Sequence, residues 1–212
     1  MRYLMNLVFK QITILLLMVV LAPALGVAQD TPQFEQLKQK FEDGLVFESD
    51  FIHEYNDTFT GDQQITEGRI WVGKEQYKMR SGESVMLVDG EISKVYDSTK
   101  NRVITSDYIE EEDDFAPSRM LQGVDDSYSV EEQSEENQTV IELTSDDPFS
   151  IFMSVSIFLN PSGIPTRIVA IDQVENELVT TFNEGSFIQK TPEIFQFQYP
   201  EDAEEIDLRH DS

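Results

Sequence analysis

Residues 47–59, Phe-Glu-Ser-Asp-Phe-Ile-His-Glu-Tyr-Asn-Asp-Thr-Phe, decide the fold class. The odd positions are Phe47, Ser49, Phe51, His53, Tyr55, Asp57 and Phe59, and the even ones are Glu48, Asp50, Ile52, Glu54, Asn56 and Thr58. One face is aromatic and the other mostly charged. That period of two belongs to a long strand with one wet side. Downstream the alternation recurs between turn signals. Residues 68–73 place Ile70 and Val72 opposite Arg69 and Trp71, and residues 76–80 place Tyr77 and Met79 opposite Lys78 and Arg80. In residues 84–88, Val85 and Leu87 are assigned to the inner face, with Met86 and Val88 competing for it. Asp89-Gly90 follows as the strongest hairpin signal in the chain. Further strands are expected over 91–97, 102–108, 128–132, 139–144, 151–159, 166–174, 178–182 and 194–199, with Asn160-Pro161-Ser162-Gly163 as a turn. Many short strands without alternating helices mean an antiparallel sheet, barrel or sandwich.

Only two segments read as helical. Thr31-Pro32 opens the first, Phe34, Leu37 and Phe41 follow at helical spacing, and Gly44 ends it. The second follows five consecutive acids, Glu110 to Asp114, read as a solvated loop, and carries Phe115, Met120 and Leu121. Residues 130–138 are acidic and read as an exposed hairpin tip. Long strands with one aromatic face curl around a hollow if no helix layer fills it, and two short helices are little filling. A sheet wrapped around a partly filled apolar pocket binds something greasy.

Ahead of the strands, Arg2 and Lys10 precede an apolar run from Gln11 to Leu25, and Gly26-Val27-Ala28 has the small residues of a signal-peptidase site. The expectation is a secretory signal peptide cleaved near Ala28, with an uncleaved anchor as its rival. The remainder, residues 29–212, reads as one domain. Its 13 basic and 41 acidic side chains leave a net charge of −28. Such a surface repels nucleic acid and anionic lipid head groups. With no cysteine, the exported chain has no disulfide and no lipobox residue of its own.

Catalytic chemistry finds few candidates. His53 and His210 are the two histidines, the first on the aromatic strand face and the second two residues from the end. No nucleophile elbow, phosphate loop or H-E-x-x-H motif is present. The run from Glu110 to Asp114 lacks the Gly and the ligand spacing of a calcium loop. The reading is therefore a non-enzyme with no cofactor and no metal site.

An ordered series of short motifs carries a resemblance. Gly68-Arg69-Ile70-Trp71-Val72, Tyr77-Lys78-Met79-Arg80, Val88-Asp89-Gly90, Val95-Tyr96-Asp97 and Asn101-Arg102-Val103 run in sequence, and the chain closes on Phe195-Gln196-Phe197, Pro200 and Glu205-Ile206-Asp207-Leu208-Arg209. This resembles the LolA family of outer-membrane lipoprotein carriers over nearly the whole mature chain. The resemblance implies an unclosed antiparallel β-barrel, a strongly curved sheet, beneath a short helical lid. It also implies a monomeric periplasmic carrier that accepts acylated lipoproteins from an inner-membrane lipoprotein-releasing ABC transporter and passes them towards the outer membrane, with or without an acceptor there. Phe34, Leu37, Phe41, Phe115, Met120 and Leu121 become lid residues. The acyl cavity is expected to be walled by Phe47, Phe51, Tyr55, Phe59, Ile70, Val72, Tyr77, Met79, Val85, Leu87, Val155 and Ile157. Where family members carry a lid-latching arginine, this chain has Lys74, a point charge without the planar fork. An envelope module that senses lipid or lipoprotein on the same scaffold is the alternative function.

Overall fold

A computed structural model describes residues 31–109, 113, 115 and 117–209. The expected signal peptide and His210 lie outside the described residues. Twelve strands form one sheet: β1 (Leu45–Asn56), β2 (Gln63–Val72), β3 (Tyr77–Ser81), β4 (Ser84–Val88), β5 (Ile92–Asp97), β6 (Arg102–Asp107), β7 (Ser129–Ser134), β8 (Thr139–Thr144), β9 (Phe152–Leu159), β10 (Pro165–Asp172), β11 (Glu177–Gln189) and β12 (Glu204–Asp207). Their spatial order is β12-β6-β5-β4-β3-β2-β1-β11-β10-β9-β8-β7, and every pair is antiparallel except β12 with β6. Two helices, α1 (Pro32–Glu42) and α2 (Pro117–Gln122), lie on one face.

The sheet curls around the side that carries its main apolar cluster; a few apolar residues, Val103 and Val179 among them, are buried on the other side. Directly paired residues share a face. Phe47, Phe51 and Tyr55 of β1 stand beside Val72, Gly68 and Gln64 of β2, and beside Phe187, Phe182 and Leu178 of β11. The same face continues through Tyr77 and Val88 on one wing and Ile168, Ile157 and Ile141 on the other. One apolar cluster holds both Val88 of β4 and Ile141 of β8. Those strands are seven steps apart, about 34 Å in a flat sheet at ~4.8 Å per step. Only a strongly curved sheet brings both wings onto the same two helices, and β12 and β7 remain as unpaired edges.

Glycine makes the bend at one place. A Cβ on Gly68 would lie 1.9 Å from the Arg80 carbonyl oxygen, so β2 passes β3 with no room for a side chain. A second irregularity joins β1 to β11. The register shifts between Glu48 and Asp50, opposite a stretch where Glu184 has φ of 56°. Past that bulge β11 runs on to Gln189, well beyond the expected end at residue 182.

Other expectations are corrected here. Residues 194–199 form no strand. They cross the convex face, where Lys78 Nζ donates to the carbonyls of Ile194 (3.1 Å) and Gln196 (2.7 Å) and the rings of Tyr96 and Tyr199 meet at 6.3 Å. The closing strand is β12 instead. Residues 130–138 include most of β7, so only 135–138 form a tip. The acidic run is not wholly solvated, because half-buried Asp113 accepts hydrogen bonds from both Tyr77 Oη and Tyr108 Oη at 2.9 Å.

Gly68→Ala should destabilise the chain by the ~1–3 kcal/mol typical of overpacking, or by more because the clash is with backbone. Chemical denaturation of the purified protein measures it; a midpoint within error of wild type would contradict the bend described here.

Candidate functional site

The concave face and its helical cover form the candidate site. α1 presents Phe34, Leu37 and Phe41 to the sheet, each at most 2% exposed. The spacing i, i+3, i+7 gives one apolar stripe, and the opposite side is polar. Phe41 meets Phe187 edge-on at 5.4 Å, and Phe187 packs at 5.4 Å from Phe47. α2 adds buried Met120 and Leu121. Phe115, just ahead of α2, sits 5.6 Å from Phe51, 4.8 Å from His53 and 6.1 Å from Tyr77. The six expected lid residues are thus brought together over the sheet.

Polar contacts fix the ends of this cover. The Thr31 side chain does not cap α1. Glu132, on the inner face of β7, accepts hydrogen bonds from the backbone N–H groups of Gln33 and Phe34, each 3.0 Å, through one carboxylate oxygen. A carboxylate there satisfies two otherwise orphaned donors and faces the positive end of the helix dipole. At the other end Lys40 Nζ donates to the Gly163 carbonyl at 2.8 Å and lies 4.6 Å over the Phe187 ring. Lys74 Nζ pairs with Glu42 Oε2 at 2.9 Å, while its own carbonyl accepts from Gln122 Nε2 of α2 at 2.7 Å. The residue at the expected latch position therefore touches both helices. The Lys74–Glu42 pair is exposed, so it is a weak, salt-screened surface ion pair.

Of the expected cavity wall, Phe47, Phe51, Tyr55, Ile70, Val72, Tyr77, Met79, Val155 and Ile157 lie on the concave face. Three do not. Phe59 is 97% exposed, because β1 ends at Asn56 and residues 57–62 turn away. Val85 and Leu87 point to the convex face, paired with Arg80 and Lys78. Met86 and Val88 hold the inner positions instead, and a one-residue difference in parity reverses every side chain of a short strand. The face continues across β5 and β6 through Val95 and Ile104, which local pattern does not single out; the register Met86–Val95–Ile104 places them. Like Met79 and Met86, they are only half-buried, save for the better-covered neighbours on the central strands.

A cavity of about 640 Å³ opens beside α2, lined by Lys74, Val88, Tyr108, Ser118, Gln122 and Val124 among others. Its size is that of a small-ligand site, ~300–1,000 Å³. Among the described residues no group of His, Asp and Glu could hold a metal ion, and no helix is long and apolar enough to cross a membrane.

His53 sits within this face. Its Nδ1 and Thr180 Oγ1 are 2.9 Å apart, and burial lowers its pKa to about 4. The ring is therefore neutral in the folded protein at neutral pH, packed rather than poised as a base. Tyr77 is likewise held protonated, its pKa pushed up first by burial and then by the Asp113 carboxylate.

No protein-family model and no curated protein matches the chain. Solved structures do. A conserved protein from Thermus thermophilus is similar at 11% identity over 82% of this chain and 98% of that one, with a TM-score of 0.51. A LolA superfamily protein from Nitrosomonas europaea is similar at 12% identity over 77% and 97%, TM-score 0.42. An outer-membrane lipoprotein-sorting protein domain from Vibrio parahaemolyticus follows at 10% over 76% and 93%, TM-score 0.39. At 11% identity the likeness to the first is one of fold alone.

Two measurements check the site. Because the folded pKa of His53 lies below its ordinary 6.5, stability is complete above pH 6.5 and falls as pH drops towards 4. The loss is on the order of 3 kcal/mol at ~1.36 kcal/mol per pKa unit. Unfolding free energies of wild type and His53→Gln should converge across that window, and a constant difference would contradict a buried neutral ring. Glu132→Gln should lower the hydrogen-exchange protection of the α1 amides by the ~1 kcal/mol of a lost cap while leaving β1 and β11 protected.

Proposed function

We propose that this chain is a secreted, non-enzymatic carrier, cleaved near Ala28 to a single domain of residues 29–212. In this reading it shelters the acyl chains of lipoproteins against its concave face while they cross the periplasm. The donor would be the inner-membrane ABC transporter and the destination the outer membrane. The observation that supports this is the excess of apolar concave surface over helical cover. Phe47, Phe51, Ile70, Val72, Val155 and Ile157 are shielded, while Met79, Met86, Val95 and Ile104 continue the same face less completely buried.

Loading requires α1 to give way, since Phe34, Leu37 and Phe41 fill the space above the sheet. Their burial is worth ~1.5–3 kcal/mol each. An acyl chain gains ~0.8 kcal/mol per buried CH₂. Roughly six to eleven methylenes therefore match the helix stripe, and longer chains displace it. Among the described residues, the polar contacts at the ends of α1 are hydrogen bonds, an exposed ion pair and the Lys40–Phe187 contact, so displacement breaks no strand pairing. Transfer onward needs no bond cleavage, only an acceptor that covers the acyl chain better.

Native mass spectrometry of the mature protein, purified from the periplasm with lipid extraction alongside, tests the reading. Wild type should retain lipoprotein or acyl lipid, and Met86→Glu, at a half-buried wall position, should lose it while remaining folded and secreted. A clean apo mass, together with no uptake of acylated protein from a membrane donor, overturns the carrier reading in favour of a sensing or interaction module.

A further inference from the structure

Three neighbouring turns at one end of the sheet share a design that the concave face does not explain. They join β1 to β2, β10 to β11 and β8 to β9, consecutive along that end of the sheet. Each begins with an aspartate whose Oδ1 accepts the backbone N–H of an apolar residue two positions on. Asp57 holds Phe59, Asp147 holds Phe149 and Asp172 holds Val174, all at 2.9 Å. Further N–H groups bind the same oxygens in two of them, from Thr60 at 2.9 Å and from Asn176 at 2.8 Å. Such aspartate turns rigidify a loop tip. The turns are also tied to one another. Thr58 N–H donates to Asn176 Oδ1 at 3.1 Å, and Gln173 Nε2 donates to Ser150 Oγ at 2.9 Å.

The residue each turn displays is out in water: Phe59 is 97% exposed, Phe149 93% and Val174 70%. Single exposed apolar residues are ordinary. Their distribution here is not. Ile65, also exposed, stands on the same hairpin as Phe59. Among the described residues, the turns at the opposite end, residues 73–76, 89–91, 135–138 and 160–164, carry no exposed large apolar side chain; the two exposed ones at that end, Ile109 and Leu208, follow the ends of β6 and β12 and belong to no such turn. Where an aspartate or asparagine builds the same turn elsewhere, the displayed residue is polar: Glu91 and Ser162 at the opposite end, Thr99 and Ser127 on the flanks of this one.

We propose that this end of the sheet is a docking surface for a partner protein whose face combines apolar pockets with a basic rim. Two arguments select that occupant. The backbone of each tip is fixed in advance, so inserting the tips into pockets orders little more than their side chains, and large aromatic anchors such as Phe59 and Phe149 dominate interface energies. Around them stand Asp57, Asp62, Asp146, Asp147, Asp172 and Glu175, with no lysine or arginine in residues 57–62, 145–150 or 172–177. An anionic bilayer repels such a collar. A basic protein face complements it and is steered towards it. The surface does not depend on the carrier reading, since a sensing module would need such a partner equally.

The test places a photo-reactive phenylalanine analogue at position 59, 149 or 174, with positions 91 and 136 as controls at the opposite end. After irradiation in the secreting cells, mass spectrometry sequences the cross-linked peptides. The expected result is one protein recovered from all three tips, through a lysine- or arginine-rich region, and not from the controls. The triple variant Phe59→Ser/Phe149→Ser/Val174→Ser, checked for folding by circular dichroism, should bind that purified protein at least ~10-fold more weakly. Wild-type affinity should fall as salt rises. Adducts to lipid alone, equal adducts from both ends, no adducts, or a triple variant with wild-type affinity each overturn the proposal.

Discussion

β1 occupies the middle of the sheet and pairs along nearly its whole length with β2 on one side and β11 on the other, and its alternation assigns every neighbouring strand a wet and a dry face. Once Phe47, Phe51 and Tyr55 face inward, register carries the same assignment outward, pair by pair, to β4 and β8. The result is a dry face spanning most of the sheet with only two short helices to cover it. Curling brings its two wings together and reduces the area to be covered. The contact of Gly68 with the Arg80 backbone is the local consequence, because the bend leaves no space for a Cβ.

The cover itself is held by two kinds of force at very different strengths. Apolar burial of Phe34, Leu37 and Phe41 supplies most of the attraction. The polar contacts at the ends of α1 fix where it sits. Glu132 receives its first N–H groups, Lys40 reaches the β9–β10 turn, and Lys74 bridges to Glu42. None belongs to the sheet's hydrogen-bond ladder, so the helix and the sheet are separable units of stability.

Much of this was legible in the residues. The alternation in 47–59, the Asp89-Gly90 turn and the stripe Phe34–Leu37–Phe41 each depend on neighbours a few positions away. What escaped had distant causes. Val85 and Leu87 looked as suited to the inner face as Met86 and Val88, and only pairing with Tyr77 and Met79 decides between them. The strand expected over 178–182 runs on through Asn183-Glu184-Gly185 to Gln189, because the register of β11 with β1 shifts there. Residues 194–199 alternate like a strand but lie across the convex face, drawn there by Lys78 and Tyr96. Phe59 continued the aromatic parity of β1, but Asp57 folds the backbone into a turn and carries it outward.

The sequence by itself determined that the chain is an antiparallel β protein with one apolar face, a small helical cover and a strongly acidic surface, since periodicity and charge are properties of neighbouring residues. Only the tertiary structure decided which residues meet. That Glu132 caps a helix about a hundred positions earlier, that Lys74 touches both helices, and that Phe59, Phe149 and Val174 gather at one end all follow from strand order. No local pattern encodes strand order; it emerges when the apolar face closes on itself.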